Sequence, residues 1–306
     1  MIHPTTNKWT RVLFAPVIWF FNFLSEHNPV LLIRIRYFLL FQKLPNLKNP
    51  RNLNEKILYL KLFTDTSKWT DLTDKYKVRK YVEERGLSQY LVPLLSVWSK
   101  IEDFDLESLP NAFIIKANNG GGNVSVKVVQ DKNELCESEV AELRNLVNKW
   151  LHTTYKRNLS AEPQIRDIVP CVVVEELLPL EEGKNSLIDY KIWCFNGKAY
   201  YIWVVNDRIG LDTHVMTYDL NWEAHPEYSI STNHYKLANV MDKPKNLDEM
   251  LLVAERLSEG FPCVRVDLYN VRGHVYFGEM TFTSQAGLQD FYTEEFLNLT
   301  GDLIHL

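Results

Sequence analysis

Residues 112–130 read AFIIKANNGGGNVSVKVVQ. Two strand-like runs, FIIK and VSVKVV, flank NNGGGN. A tight hairpin needs only two turn residues, so three glycines between asparagines ask for another use. Glycine has no Cβ, and successive backbone N–H groups can therefore crowd around an anion. Such a turn can fold as a flap over the phosphates of a nucleotide. Gly120, Gly121 and Gly122 would form its tip, and Lys116 at its base would supply a point charge. Taken alone, the stretch also reads as an ordinary hairpin tip with an ordinary strand lysine, and that alternative stays open here. It is not a Walker A loop, because G-x-x-x-x-G-K-[ST] is absent.

A second stretch, Val264–Met280 (VRVDLYNVRGHVYFGEM), reads as a hairpin. A three-residue loop Val271-Arg272-Gly273 puts glycine where a left-handed residue is wanted. That register pairs Asn270 with His274, Asp267 with Phe277 and Arg265 with Glu279. Arg265, Asp267, Glu279 and Thr281 then share a face. Asp267 and Glu279 become diagonal neighbours, roughly 7–8 Å apart at Cα. Carboxylates so placed can bridge Mg²⁺, with phosphate oxygens and water completing the octahedron. The competing reading is an Arg265–Glu279 ion pair with Asp267 in solvent.

The third stretch is Cys171–Leu178 (CVVVEELL), an apolar strand ending in Glu175-Glu176. Such an exit can present backbone groups to an adenine edge and a carboxylate to ribose hydroxyls, or it can be a buried strand reaching the surface. Asp189-Tyr190-Lys191 opens the next hairpin and offers a second lysine.

Elsewhere, the pattern predicts helices over Asn54–Phe63, Asp74–Arg85, Glu134–Leu151 and Asn246–Glu259. Strands are expected at Ile114–Ala117, Val124–Val129, Tyr190–Phe195 and Lys198–Val205. The last two flank Asn196-Gly197, a strong turn signal. The mix is α+β. With 306 residues, the chain exceeds what one core usually supports. We divide it into a helical segment 1–50, a helical linker 51–110, a glycine-rich lid lobe 111–175 and a catalytic lobe 176–306. A net charge of −5 argues against nucleic acid as the main partner. Four cysteines without a C-x-x-C pair suggest reduced thiols in a cytoplasm. Val12–Leu24 is apolar but shorter than the roughly 20 residues of a bilayer span. It reads either as core helix or as a segment resting on the inner membrane face, with Arg11, Arg34, Arg36 and Lys43 near headgroups.

Together these residues resemble the ATP-grasp superfamily, and its TupA-like branch most closely. The resemblance covers roughly 36–301. Its motifs, in order, are NPRNLNEKILYLKL, DKYKVRKYVEERG, LPNAFIIKANNGGGN, IVPCVVVEELL, DYKIWCFNGKAYYI and FPCVRVDLYNVRGHVYFGEMTFT. The family's loop usually resembles K-C-N-H-G-S-G. Here Asn119 stands where histidine is common and Gly121 where serine is common. Thr281 occupies a position where the superfamily often has asparagine, and the tail lacks the family's usual proline.

The resemblance implies an ATP-grasp fold, with two α+β lobes clasping ATP between antiparallel sheets. It implies ATP and Mg²⁺ as cofactors, and a ligase that makes an acyl phosphate and then an amide. Lys116 and Lys191 would hold phosphates under the Gly120–Gly122 flap. Asp267 and Glu279 would hold Mg²⁺, and Arg265 would steady the acyl phosphate. Glu175 and Glu176 would read the nucleoside, with Glu175 on the ribose. Lys75 or Arg208 would touch substrate. As a ligand and not a core residue, Asp267 is expected to tolerate asparagine without loss of thermal stability. The family's link to cell-surface polysaccharide suggests an amino acid or amine joined to a uronic acid, on a sugar nucleotide or a lipid-linked glycan. A sugar kinase would share the ATP site. A glycosyltransferase would typically carry an Asp-x-Asp at a strand end, and none is found there. A non-catalytic scaffold is the remaining alternative.

Overall fold

The computed structural model describes residues 8–121, 123–155, 159–180, 183–184, 186–209 and 212–306, without side chains at 8–15, 123, 208 and 209. Gly122, and the side chains of Arg11 and Arg208, therefore lie outside the described residues.

Two sheets dominate, the smaller antiparallel throughout and the larger antiparallel except where its last two strands in spatial order, Asp212–Asp219 and Tyr235–Leu237, run parallel. The smaller has the order β1-β4-β2-β3, formed by Leu94–Trp98, Val172–Glu176, Phe113–Ala117 and Val126–Val129 respectively. A helix, Glu137–Leu151, covers one face. Its Leu143, Val147 and Trp150 pack with Phe113, Ile115, Val172 and Val174, which are apolar at alternate strand positions. This sheet draws β1 from before residue 111, so its lobe is wider than the 111–175 segment. The predicted strand over Val124–Val129 begins only at Val126. Residues Asn123–Ser125 instead make a short 3₁₀ turn.

The larger sheet has the order β10-β9-β5-β6-β7-β8. Its strands are β5 (Asp189–Phe195), β6 (Lys198–Ile209), β7 (Asp212–Asp219), β8 (Tyr235–Leu237), β9 (Cys263–Val271) and β10 (His274–Thr281). Asn196 and Gly197 both have positive φ, 49° and 79°, as a type I′ turn requires. The helix Leu247–Ser258 lies in one apolar cluster with Val264, Val266 and Leu268 of β9. The opposite face of β9 therefore carries Arg265 and Asp267.

The β9–β10 hairpin differs from the register expected of it. Val271 pairs with His274, so the loop is the two-residue Arg272-Gly273, again with positive φ at both positions. The register slips at Gly278, between Phe277 and Glu279. Asp267 then faces Glu279 directly, and Arg265 faces Thr281. The four residues still share a face, because one bulge residue compensates for the shorter turn. A Cβ at Gly278 would sit 2.9 Å from the Asp267 carbonyl oxygen, which explains glycine at the bulge.

At the N-terminus, helices Lys8–His27 and Pro29–Phe41 form a hairpin. Leu24, Leu32, Ile33 and Tyr37 anchor it against Leu47, Leu58 and Leu288. Among the described residues, no helix is long and apolar enough to cross a membrane.

Candidate active site

The site is built on a row of residues across three strands. Lys191 of β5 pairs with Asp267 of β9, which pairs with Glu279 of β10. Lys191 Nζ donates to Asp267 Oδ2 at 2.5 Å and lies 2.7 Å from Asp189 Oδ2. Arg265 clamps the same carboxylate, with Nε 2.7 Å from Oδ1 and Nη2 2.8 Å from Oδ2. Its Nη1 donates to Ser284 Oγ at 2.9 Å. Burial alone would raise the Asp267 carboxyl, but Arg265 and Lys191 outweigh it and hold it below the usual carboxylate range. Burial likewise pulls the Lys191 ammonium down, and Asp189 and Asp267 overcome that and raise it. Burial is also the largest influence on Arg265, yet Asp267 raises its guanidinium further above the ordinary value. Asp267 is only 2% exposed. It is thus a charged core residue as well as a candidate ligand, and this burial argues against the expectation that asparagine there spares stability.

Glu279 differs. Its side chain is 40% exposed, 3.7 Å from Lys75 Nζ and 3.9 Å from Arg265 Nη2. Lys75 also donates to the Gly120 carbonyl at 2.5 Å. One ammonium therefore joins the glycine-rich loop of the small sheet to the carboxylate pair of the large one. The loop packs tightly there, since a Cβ on Gly120 would lie 2.2 Å from Ser125 Cβ. Gly121 has open space around its Cα.

Lys116 sits on the small sheet, with its Nζ 2.6 Å from Glu175 Oε2. Arg79 holds the other Glu175 oxygen at 2.9 Å and donates to the Val92 carbonyl. The Glu175 carboxylate thus rests between two cations. Glu176, one residue on, is exposed, and its N–H donates to the Pro93 carbonyl. The turn entering helix Val78–Glu84 connects the two halves. Lys75 reaches Glu279, and Arg79, four residues later, reaches Glu175, so about one helical turn spans the distance. Asp74 and Asn118 brace this turn, with Asn118 Nδ2 2.9 Å from Asp74 Oδ2 and the Lys75 N–H donating to the Asn118 carbonyl.

Sequence reasoning identified the members of the charge row but missed Arg79, Ser284 and the bracing pair. Their partners are 19 to 96 residues away in the chain. For Lys75, it offered a substrate contact, not this bridge. A cavity of about 1250 Å³ lies apart from the charge row and is lined by Tyr59, Trp69, Tyr76, Tyr81 and Phe261. Its lining includes Arg79 but neither Asp267 nor Glu279. Size alone is a weaker guide than the converging charged groups, which are what nucleotide chemistry uses.

The donor set fits Mg²⁺ carried on phosphates. A carboxylate has about four lone-pair sites, and Arg265 and Lys191 take three on Asp267. One site on Asp267 and the half-exposed Glu279 remain. Mg²⁺ is commonly held by one or two carboxylates plus phosphates and water. Among the described residues no group of three or more His, Cys, Asp or Glu could hold a metal, so the nucleotide would have to supply the remaining ligands.

A glycine-rich loop on one antiparallel sheet, set against a carboxylate pair on a second, defines an ATP-grasp architecture. The TupA-like ATPgrasp family model matches residues 55–305, and the chain belongs to that family. No curated protein matches it. Among solved structures, D-alanine–D-alanine ligase from Bacillus anthracis complexed with ATP is 16% identical, with TM-score 0.40, over 75% of this chain and 55% of that one. L-amino acid ligase from Bacillus licheniformis is 14% identical, with TM-score 0.45, over 77% and 50%. D-alanine–D-alanine ligase from Helicobacter pylori is 15% identical, with TM-score 0.43, over 82% and 65%. The chain thus spans 50% to 65% of the lengths of these ligases.

Proposed function

We propose that the protein is an ATP-dependent carboxylate–amine ligase acting through an acyl phosphate. The observation that carries this is the Lys75 bridge, because it places the glycine-rich loop and the Asp267–Glu279 pair around one space. In that space Lys116 and Lys191 would meet phosphate oxygens. Each now neutralises a carboxylate, so phosphate binding would exchange one anion for another without burying an unpaired charge. Bound Mg²⁺ would supply charge neutralisation between the β- and γ-phosphates. Asp267 and Glu279 would hold it, and Glu175 and Glu176 at the end of β4 would face the nucleoside.

The reaction is a phosphoryl transfer followed by an acyl transfer. A substrate carboxylate oxygen bonds to the γ-phosphorus as the bond to the β-phosphate oxygen breaks. An amine nitrogen then bonds to the acyl carbon, inorganic phosphate leaves and the amine loses a proton. Arg265, held by Asp267 and Ser284, would steady the oxyanion. The loop at Gly120–Gly121 would keep water from the acyl phosphate. The substrates we favour are a uronic acid, on a sugar nucleotide or lipid-linked glycan, and an amino acid or amine, in cell-surface polysaccharide synthesis.

The test is ADP release from ATP and Mg²⁺ against uronic acids paired with amino acids, with mass analysis of products. An amide formed only when carboxylate and amine are both present supports the reading. A phosphorylated sugar formed without amine would make the protein a kinase, and absence of ADP release across the panel would favour a scaffold.

A further inference from the structure

The N-terminal hairpin buries one side and leaves another apolar side uncovered. Along the first helix Val17, Ile18, Trp19, Phe20 and Phe23 are all exposed, Trp19 by 65%. Along the second, Leu31, Phe38, Leu39 and Leu40 are exposed, Leu39 by 62%, and Leu44 follows. Large apolar residues normally cover a core when they cluster on a helix. Here Leu24, Leu32, Ile33 and Tyr37 already do so. An uncovered apolar cluster of this kind marks an interaction surface.

Charge identifies the kind of partner. Residues 8–54 hold seven Lys or Arg and one acidic residue, Glu26. The whole chain is nevertheless at −5, so the remainder carries −11 against +6 for this segment. Arg34 lies in the apolar stripe between Leu31 and Phe38 at helical spacing, is exposed, and makes no ion pair among the described residues. Lys48 is exposed just beyond. Not every basic residue faces outward. Arg36 donates to the Leu159 carbonyl at 2.6 Å and to Ser160 Oγ, and Lys43 makes an exposed pair with Glu294. A second copy docked on this face would set like charge against like charge. An anionic bilayer surface instead offers hydrocarbon to the rings and headgroup phosphates to the arginine and lysines.

We infer that the face formed by Trp19, Phe23, Leu31, Arg34, Phe38 and Leu39 binds the surface of anionic membranes. The apolar side chains enter the interface, Arg34 and Lys48 reach headgroups, and the helices lie in the membrane plane without crossing it. The two sheets would then be held near the bilayer surface. The inference does not depend on the ligase reading.

Co-sedimentation of the full chain with vesicles tests it. Vesicles of phosphatidylcholine alone are compared with vesicles containing roughly a third phosphatidylglycerol. Binding is expected on the anionic vesicles, to weaken in high salt, and to be at least about ten-fold poorer on phosphatidylcholine. The triple variant Trp19→Ser, Phe38→Ser, Leu39→Ser is expected to lose at least about ten-fold in partitioning. Arg34→Glu with Lys48→Glu, confined to exposed positions and so safe for folding, is expected to remove the preference for anionic lipid. No association of the wild type with anionic vesicles overturns the inference. So does equal binding by the charge variant, or a stable dimer in light scattering that the triple variant converts to monomer.

Discussion

Asparagine at position 267 exposes the dual nature of the charge row. Asp267 and Asp189 balance Arg265 and Lys191, and the side chains of all four are at most 11% exposed. Asp267→Asn keeps the shape but leaves two buried cations against one buried carboxylate, with only the half-exposed Glu279 beside them. Removing one partner of a buried ion pair costs about 3–5 kcal/mol, because the other charge is left uncompensated. A protein of this kind is stable by only about 5–15 kcal/mol. At roughly 2–4 °C per kcal/mol, the midpoint of thermal unfolding should fall by about 6–20 °C at neutral pH. The sign of the pH dependence follows from the lowered folded-state value of Asp267. A depressed carboxylate stabilises above its unfolded value near 4, and that contribution is lost as pH falls through the folded value. The wild-type advantage over Asp267→Asn should therefore be full at neutral pH and shrink in acid. Thermal and urea unfolding at a series of pH values measure it. An unchanged midpoint at neutral pH would refute the reasoning and leave Asp267 as a candidate ligand with no stabilising role.

Other outcomes follow from the same geometry. Lys116→Ala should weaken ATP binding by about ten-fold, roughly 1.4 kcal/mol, with the fold retained because Arg79 still holds Glu175; calorimetric titration checks this. Gly278→Ala should cost about 1–3 kcal/mol in urea unfolding and lower Mg²⁺-dependent nucleotide affinity, since the new methyl meets the Asp267 carbonyl. Lys61 is fully enclosed, donates to the Ser160 and Ala286 carbonyls, and is pulled down to about 7 by burial. Between that value and the unfolded one near 10.4 the unfolded chain binds more protons, so stability should rise with pH in this window. Lys61→Met should flatten that rise in unfolding experiments.

The β5–β6 turn, the helix over 54–63 and the β9–β10 hairpin were legible because each rests on local chemistry. Asn196-Gly197 dictates its own turn, and the Asn52 side chain caps helix Leu53–Phe63 by accepting from Glu55 N–H. The error in the hairpin loop had a visible cue, since a lone glycine inside a strand pattern, here Gly278, signals a bulge. Two compensating one-residue differences left the charged face unchanged. What local pattern could not supply was burial and convergence. Asp189 and Lys191 alternate along β5 as solvent-facing charges would. They are buried because β9 places Asp267 opposite Lys191 and brings in Arg265. Lys75 and Arg79 read as polar helix positions, and only the packing of that turn between two sheets brings them to Glu279 and Glu175.

The central claim is that the glycine-rich loop and the carboxylate row together grip a metal-bearing triphosphate. Glu279 is the residue with which to test it, because its half-exposed side chain can change without emptying the core. ATP titrations with and without Mg²⁺ should show metal-dependent tightening in the wild type and its loss in Glu279→Gln, with unfolding midpoints nearly equal. Equal metal-dependent tightening in both proteins, or none in the wild type, would contradict the account.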